Sequence, residues 1–266
     1  MRPAATDCFT PMPPMNPDPQ AALSKVPEVT LVFWIIKILA TTLGETGGDA
    51  VSMSLNLGYL VSTGIFAVLF LVAVSAQVRS EKFHPFLYWA TIIATTTVGT
   101  TLADFSTRSL GIGYAGGSLI LFALLMASLF VWHRNLGSVA VNTVSSPKAE
   151  VFYWVTIMFS QTLGTALGDW TADTADLGYA GAALVFGTLL ALVAAAYFST
   201  KISRTVLFWA AFILTRPLGA VVGDFLDKPR DHGGLALSRY TASATLLGLA
   251  VILIVCLPNR PAKRAH

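Results

Sequence analysis

Residues 33–49 read FWIIKILATTLGETGGD: an aromatic pair, then a glycine ten residues after the tryptophan and an aspartate fifteen residues after it. The pattern recurs three times, as YWATIIATTTVGTTLAD at 88–104, YWVTIMFSQTLGTALGD at 153–169 and FWAAFILTRPLGAVVGD at 208–224. Both spacings are the same in all four copies. A spacing that is kept four times indicates an internal repeat.

The composition around these copies is that of a membrane protein. The chain has 266 residues, of which 55% are hydrophobic and 12% are charged, whereas soluble domains carry about twice that share of charge. We therefore expect an all-α polytopic membrane protein with eight transmembrane helices, each close to the roughly 20 residues that a bilayer requires. The apolar segments lie at 29–50, 58–78, 86–106, 112–132, 151–171, 177–198, 205–226 and 236–257.

The copies divide one transmembrane domain, 25–257, into four two-helix hairpins at about 29–78, 86–132, 151–198 and 205–257. An even number of helices per copy gives parallel repeats, unlike the inverted repeats of many transporters. Four hairpins can close into a pseudo-fourfold bundle or pair into two four-helix halves, and the sequence does not choose. Residues 1–24, rich in proline and polar residues, are expected to form a disordered cytoplasmic tail, and 258–266 a basic cytoplasmic tail.

Lysine and arginine concentrate in the connections at one end of the expected bundle, and few lie in the opposite connections. The positive-inside rule assigns the basic end to the cytoplasm, so both termini are expected there. The residues that carry this assignment are Arg2, Lys25, Arg79, Lys82, Arg134, Lys148, Lys201, Arg204, Arg260, Lys263 and Arg264.

A polar stripe follows the first helix of each copy, because residues four apart share a helix face. An ionised side chain in lipid costs at least about 2.5 kcal/mol, so the stripes are expected to face one another. Small residues beside them allow the helices to approach closely. The stripes contain Lys37, Thr41, Glu45 and Asp49; Thr96, Thr100, Asp104 and Arg108; Gln161, Thr165, Asp169 and Asp173; and Arg216, Asp224 and Lys228.

The aspartates of the four copies are expected at one level, about 22 Å from the tryptophans at a rise of about 1.5 Å per residue. Clustered carboxylates suit a hard divalent cation such as Mg²⁺, Ca²⁺ or Mn²⁺. Like charges at close range also retain protons. The candidate cation-binding residues are Glu45, Asp49, Asp104, Asp169 and Asp224, with the four aspartates as metal ligands and with Thr41, Thr96, Thr100, Gln161 and Thr165 as secondary lining.

Two basic residues lie within the stripes and are candidates for a counter-ion or gate. Arg216 precedes Pro217 and replaces the Thr or Gln of the other copies; it suits a fixed counter-ion, a plug or an anion-binding group. Lys37 lies three residues after Trp34 and is expected to extend its ammonium group to the cytoplasmic surface. The four tryptophans are expected to anchor the chain at the membrane interface.

These residues predict a cation transporter, with Mn²⁺ slightly favoured, that exchanges the cation for protons. No resident cofactor is expected, and the expected partners are the lipid bilayer, a small cation and protons. A second interpretation stays open, in which a structural polar core belongs to a non-transporting sensor or assembly partner. The sequence contains no hydrolase, metalloprotease or nucleotide-binding motif and no basic patch, so neither an enzyme nor a nucleic-acid-binding protein is expected.

The copies FWIIKILATTLGETGGD and YWVTIMFSQTLGTALGD resemble a bacterial family of uncharacterised membrane-anchored proteins with the same repeats. The resemblance covers about residues 25–257 and implies a multi-pass protein of the bacterial inner membrane. A looser likeness is to cation/proton exchangers with a repeated Glu-x-Gly-Asp motif. Residues 45–49, ETGGD, have one residue more than that motif, the other copies lack its Glu, and those exchangers use inverted repeats.

Overall fold

The computed structural model describes residues 24–174 and 177–262. Apart from Ser24 and residues 258–262, the two expected tails lie outside the described residues. The described ranges contain eight long helices: α1 Leu31–Asp49, α2 Gly58–Arg79, α3 Pro85–Asp104, α4 Tyr114–Leu136, α5 Pro147–Asp169, α6 Gly178–Ser199, α7 Arg204–Asp227 and α8 Arg239–Cys256.

Seven of these helices are long and apolar enough to cross a membrane. The exception, α5, is as long as the others but carries Glu150, Gln161 and several hydroxyl residues, all of them buried inside the bundle. Helices α2, α4 and α6 instead expose large apolar side chains, such as Leu60, Leu119 and Leu184. The polar side chains of these helices therefore face the interior of the bundle, and apolar side chains cover its outside.

Local sequence signals set the helix boundaries. The Thr30 side chain accepts a hydrogen bond from the Phe33 backbone N–H at the start of α1, as an N-cap residue does. Pro85 and Pro147 open α3 and α5, where a proline costs no helical hydrogen bond. The glycines at the starts of α2 and α6 and directly before α4 have positive φ, a conformation that glycine adopts easily. These are Gly58 (φ 73°), Gly113 (φ 76°) and Gly178 (φ 61°).

Helices α1, α3 and α5 each continue past the aspartate of their copy as a π-helical turn. These turns are Ala50–Ser54 after α1, Phe105–Ser109 after α3 and Trp170–Thr174 after α5. The fourth copy differs, because α7 remains α-helical to Asp227. A π-helical turn widens the backbone locally and is frequent at functional sites.

Helices α1, α3, α5 and α7 form a closed inner ring, in which each packs against the next and α7 packs against α1. The ring resolves the alternative that the sequence left open: the four copies close into a pseudo-fourfold bundle. All four aspartate-bearing helices therefore line one axis.

The outer helices show that the copies are not simple hairpins. Helix α2 packs chiefly on α3, α4 on α5, α6 on α7, and α8 on α1. Each outer helix thus covers the inner helix of the next copy rather than its own, and the last one returns to the first copy. The expected hairpin pairing within a copy is wrong, because the outer turn carries the chain sideways to the neighbouring inner helix.

The small residues explain how the inner ring closes so tightly. The glycine ten residues after each tryptophan contacts a residue of the following copy, seven positions after the tryptophan of that copy. The first copy follows the fourth in this sense. A methyl group on Gly44 would lie 2.3 Å from Thr96 Cγ2, and one on Gly219 would lie 2.9 Å from the backbone carbon of Thr41. The four contacts are Gly44 with Thr96, Gly99 with Gln161, Gly164 with Arg216, and Gly219 with Thr41.

The aromatic pairs form a buried layer at the basic end of the ring. The first aromatic residue of each copy packs on the tryptophan of the next copy, and the Tyr88 and Tyr153 hydroxyl groups lie 2.6 Å apart. Trp89, Trp154 and Trp209 are at most 5% exposed, so the expected interface anchoring is wrong for these three: ring closure packs them against the aromatic residue of the preceding copy. Ring centroids lie 5.4 Å apart for Phe33 and Trp89, 5.7 Å for Tyr88 and Trp154, 6.3 Å for Tyr153 and Trp209, and 5.7 Å for Phe208 and Trp34.

A segment before α1, residues 24–29, crosses the same end of the bundle. It pairs with the segment after α8 through Glu28 N–H to Arg260 O and Ala262 N–H to Val26 O. Lys25 is buried, with its Nζ 2.6 Å from Glu150 Oε1. The two ends of the described chain are therefore held together beside the aromatic layer.

Candidate functional site: a buried carboxylate cluster

The aspartates of the four copies converge at the end of the ring opposite the aromatic layer. Each is at most 3% exposed, and Glu45, one turn below, is 2% exposed. Their carboxylate oxygens fall into groups of three whose atoms lie within 4.8 Å of one another. The groups are Glu45, Asp49 and Asp104; Glu45, Asp169 and Asp224; and Asp49, Asp224 and Asp227. The five candidate cation ligands are thus adjacent, with Glu45 common to two groups.

Two basic side chains bridge the aspartates of neighbouring copies. Arg108 lies 3.0 Å from Asp104 and 3.1 Å from Asp169. Lys228 pairs in the same way with Asp224, at 3.1 Å, and with Asp49. Both bases stand nineteen residues after their tryptophan, where the other copies carry Met53 and Asp173. The cluster therefore has twofold rather than fourfold character.

Sequence reasoning missed two members of the cluster. Asp227 is buried and bonded to Arg239 at 3.1 Å, and Arg239 also lies 3.9 Å from Asp49. No periodic signal marks Asp227, because the equivalent positions of the other copies hold Ser52, Thr107 and Ala172. Arg239 opens α8, and only the packing of α8 on α1 brings it to this site.

The charges of this cluster do not balance. Apart from Glu45, which pairs with Arg216, the described residues of the cluster are five aspartates and three bases, Arg108, Lys228 and Arg239, which leaves two negative charges when all are ionised. Burial lowers the pKa of Lys228, but Asp224 and Asp49 outweigh burial and raise it, so this base stays charged. One oxygen each of Asp49, Asp169 and Asp227 is buried without a hydrogen-bond partner among the described residues. The excess equals the charge of two protons or of one divalent cation.

Arg216 occupies the axis of the ring below this cluster. It is fully buried, and its Nη2 lies 2.8 Å from Glu45 Oε2 and within hydrogen-bonding distance of Thr100 and Thr165. These three partners stand eleven residues after the tryptophans of the first three copies; the fourth copy has Ala220 there. A single long side chain from α7 thus contacts all three other inner helices.

Lys37 lies deeper still, between the Arg216 level and the aromatic layer. Its side chain is fully buried; Nζ lies 3.4 Å from Thr215 Oγ1 and 4.1 Å from the centre of the Phe212 ring. The expectation that Lys37 reaches the cytoplasmic surface is therefore wrong. Its helix face points into the ring, where α7 and the aromatic layer enclose it.

The secondary lining residues are all fully buried, but they differ in their partners. Thr41 bonds to its own helix and to the Thr215 carbonyl. Thr100 joins Glu45 and Arg216. Thr96 Oγ1 and both amide atoms of Gln161 have no hydrogen-bond partner among the described residues.

The cluster is closer to solvent from the aspartate side than from the aromatic side. The Arg108 side chain is 33% exposed, whereas the carboxylates that it bridges are 2–3% exposed. Toward the other end, Arg216, Lys37 and the aromatic layer follow in turn. Of the three bases in the cluster, Arg108 is therefore the most exposed to solvent.

The fold defines the class: a helical protein of four parallel repeats, with an inner ring around a charged axis and an outer ring of apolar helices. A family model described as Repeat of Unknown Function (DUF347) matches residues 32–83, 87–137, 152–203 and 207–257. The chain belongs to this repeat family. No curated protein and no solved structure matches it.

Proposed function

We propose that this protein is an integral membrane transporter that exchanges a hard divalent cation for protons at the carboxylate cluster. All eight helices cross the bilayer in this proposal. Supporting this placement, the outer helices expose large apolar side chains. The basic connections between α2 and α3, α4 and α5, and α6 and α7 lie at the end crossed by residues 24–29. We assign that end to the cytoplasm of a bacterial inner membrane.

The observation that carries the proposal is the excess of two buried carboxylates over basic groups. A divalent cation neutralises this excess, and so do two protons. Cation binding therefore displaces protons, and protonation releases the cation. Carboxylate and hydroxyl oxygens are the donors that Mg²⁺, Ca²⁺ and Mn²⁺ prefer; Mn²⁺ is slightly favoured.

Flux measurements in proteoliposomes test the proposal. We expect a gradient of Mn²⁺, Mg²⁺ or Ca²⁺ to drive proton movement that a trapped pH-sensitive dye reports. Asp104→Asn removes one ligand while Arg108 keeps Asp169 as its partner, so the variant is expected to fold and to lose at least tenfold in flux. Asp173→Asn is the matched control, because Asp173 is an exposed acid at the rim of the same ring. Wild-type protein that moves none of these cations contradicts the proposal.

A second candidate function, a non-transporting membrane protein, is favoured by the ion pairs themselves. Each of the four aspartates is bridged by Arg108 or Lys228, as a purely structural network requires. In that case Asp104→Asn lowers the unfolding temperature without any cation-dependent activity to lose. Thermal unfolding with and without divalent cations separates the two functions, because only a binding site is stabilised by its ligand.

A further inference from the structure

A second polar level lies between the carboxylate cluster and the aromatic layer. It is formed by the residues seven positions after each tryptophan, one from each inner helix, together with Lys37 one turn deeper. All five side chains are fully buried. They are Lys37, Thr41, Thr96, Gln161 and Arg216.

This level carries an excess of positive charge. Lys37 and Arg216 both lie against the same stretch of α7: Lys37 contacts Phe212 and Thr215, and Arg216 follows directly. Among the described residues, Glu45 is the one carboxylate that pairs with Lys37 or Arg216, and its partner is Arg216. When all three groups are ionised, two bases and one acid leave a single positive charge at this level of the ring.

Hydrogen-bond donors on this level are also unpartnered. Arg216 uses Nη2 alone, and its Nε and Nη1 have no partner among the described residues. Among the described residues, the Gln161 amide nitrogen, its amide oxygen, which is an acceptor, and the Thr96 hydroxyl group are likewise without a partner. Buried donors of a charged group are seldom left unsatisfied. Several such donors beside a basic group are the surroundings in which a small anion forms charge-assisted hydrogen bonds.

We propose that this level binds a small monovalent anion of the halide class, such as chloride, between Lys37, Arg216 and Gln161. The anion accepts from guanidinium, ammonium and amide N–H groups and cancels the single excess charge. Water satisfies the donors but not the charge. A large anion does not fit, because the four inner helices touch at Gly44, Gly99, Gly164 and Gly219. The anion site is independent of the proposed cation transport.

Equilibrium binding of radioactive chloride to the purified full-length protein tests the site, with sodium gluconate as the background salt. We expect saturable binding of about one anion per chain, in competition with bromide. Lys37→Met and Gln161→Leu are each expected to weaken binding at least tenfold. Asp104→Asn lowers cation flux in the transport proposal but retains chloride binding, so the two proposals fail separately. Asp173→Asn is the control for both.

Absence of saturable chloride binding to the wild-type protein overturns the inference. So does unchanged binding in a folded Lys37→Met or Gln161→Leu variant, since the anion then lies elsewhere. If neither variant folds, bromide in crystals of the wild-type protein decides. An anomalous peak beside Arg216 and Gln161 supports the site, and a bromide-soaked crystal without such a peak refutes it.

Discussion

Glycine positions decide how closely the inner helices approach. A methyl group at Gly219 would lie 2.2 Å from Thr41 Oγ1 and 2.9 Å from the Thr41 backbone carbon. The backbone of α1 cannot move aside as a flexible side chain does. The small-residue stripe is thus a requirement of ring closure, and the α7–α1 contact is where the ring closes on itself.

We predict that Gly219→Ala destabilises the protein by about 1–3 kcal/mol, the usual cost of overpacking a dense core. Gly64→Ala is the matched control, because Gly64 lies within α2 with nothing near its absent Cβ. There the higher helix propensity of alanine favours folding by up to about 1 kcal/mol. Thermal unfolding in detergent measures both, and equal unfolding temperatures for the two variants contradict this packing.

The Arg216–Glu45 pair is the deepest ion pair on the ring axis. Arg216→Met leaves Glu45 buried without its cation, and breaking a buried pair in this way costs about 3–5 kcal/mol. We predict that Glu45→Gln in the same chain recovers much of the loss, because the remaining group is neutral. A double-mutant cycle of unfolding free energies tests this coupling. Additive effects of the two substitutions contradict a direct pair.

At the residue scale, much of the site follows from spacing alone. A period of four along each first helix predicts that Glu45 and the four aspartates share one interior, because the helix geometry is fixed. The same period places Lys37 on the inner face, but its position three residues after Trp34 predicts that its ammonium group reaches the surface, and the structure buries it. Nearness to the end of a helix gives access to water only when no neighbour covers that face. Which residues cover Lys37 depends on how α1 packs against α7, and the sequence around Lys37 does not determine that packing.

The outer helices cover the inner helix of the following copy, and this arrangement has a direct test. Thr46 Oγ1 of α1 and Ser243 Oγ of α8 lie 2.8 Å apart, close enough for the short Cβ separation that a disulfide requires. In a chain whose Cys8 and Cys256 are replaced by serine, we predict that Thr46→Cys and Ser243→Cys cross-link on oxidation. Mass spectrometry of the linked peptides detects the bond.

The control pair is Thr46→Cys with Ser128→Cys. Ser128 lies on α4 and bonds to Thr156 of α5, so α4 covers a different inner helix and no cross-link is expected. Failure of the Thr46 and Ser243 positions to react in folded protein contradicts closure of the ring by α8.

At the element scale, the sequence predicts all eight helices, because each is a long apolar segment bounded by glycine, proline or charged residues. It does not predict how they pair. Helices joined by a short turn usually pack together, and an α1–α2 hairpin was the natural expectation. The sideways course of the chain between the two helices of a copy leaves no signature in hydropathy. It is the same after α7, which stays α-helical to Asp227, as after the three helices that end in a π-helical turn.

At the scale of the whole molecule, the charges are layered along one axis. Aspartates with Arg108 and Lys228 form one end, Arg216 with Glu45 lies below them, Lys37 below these, and the aromatic layer closes the other end. The outer surface is apolar. This layering separates a region with excess negative charge from one with excess positive charge inside a single bundle.

We predict that a divalent cation raises the unfolding temperature of the purified protein at pH 8 and does so much less at pH 5. Protons compete for the carboxylates of the cluster, so metal affinity falls as they bind. At 100 times the dissociation constant, the stabilisation reaches about 2.7 kcal/mol. Scanning calorimetry with Mn²⁺ and with a chelator measures this difference; an identical shift at both pH values is inconsistent with proton competition.

The coverage of each inner helix by the preceding copy makes every copy of this chain depend on its neighbours. Removal of the fourth copy would uncover α1 and leave α6 without an inner helix to pack on. We therefore expect a truncated chain of whole copies to lose apolar contacts at both of its new edges, and a half of this chain to recover them only by pairing with a second half.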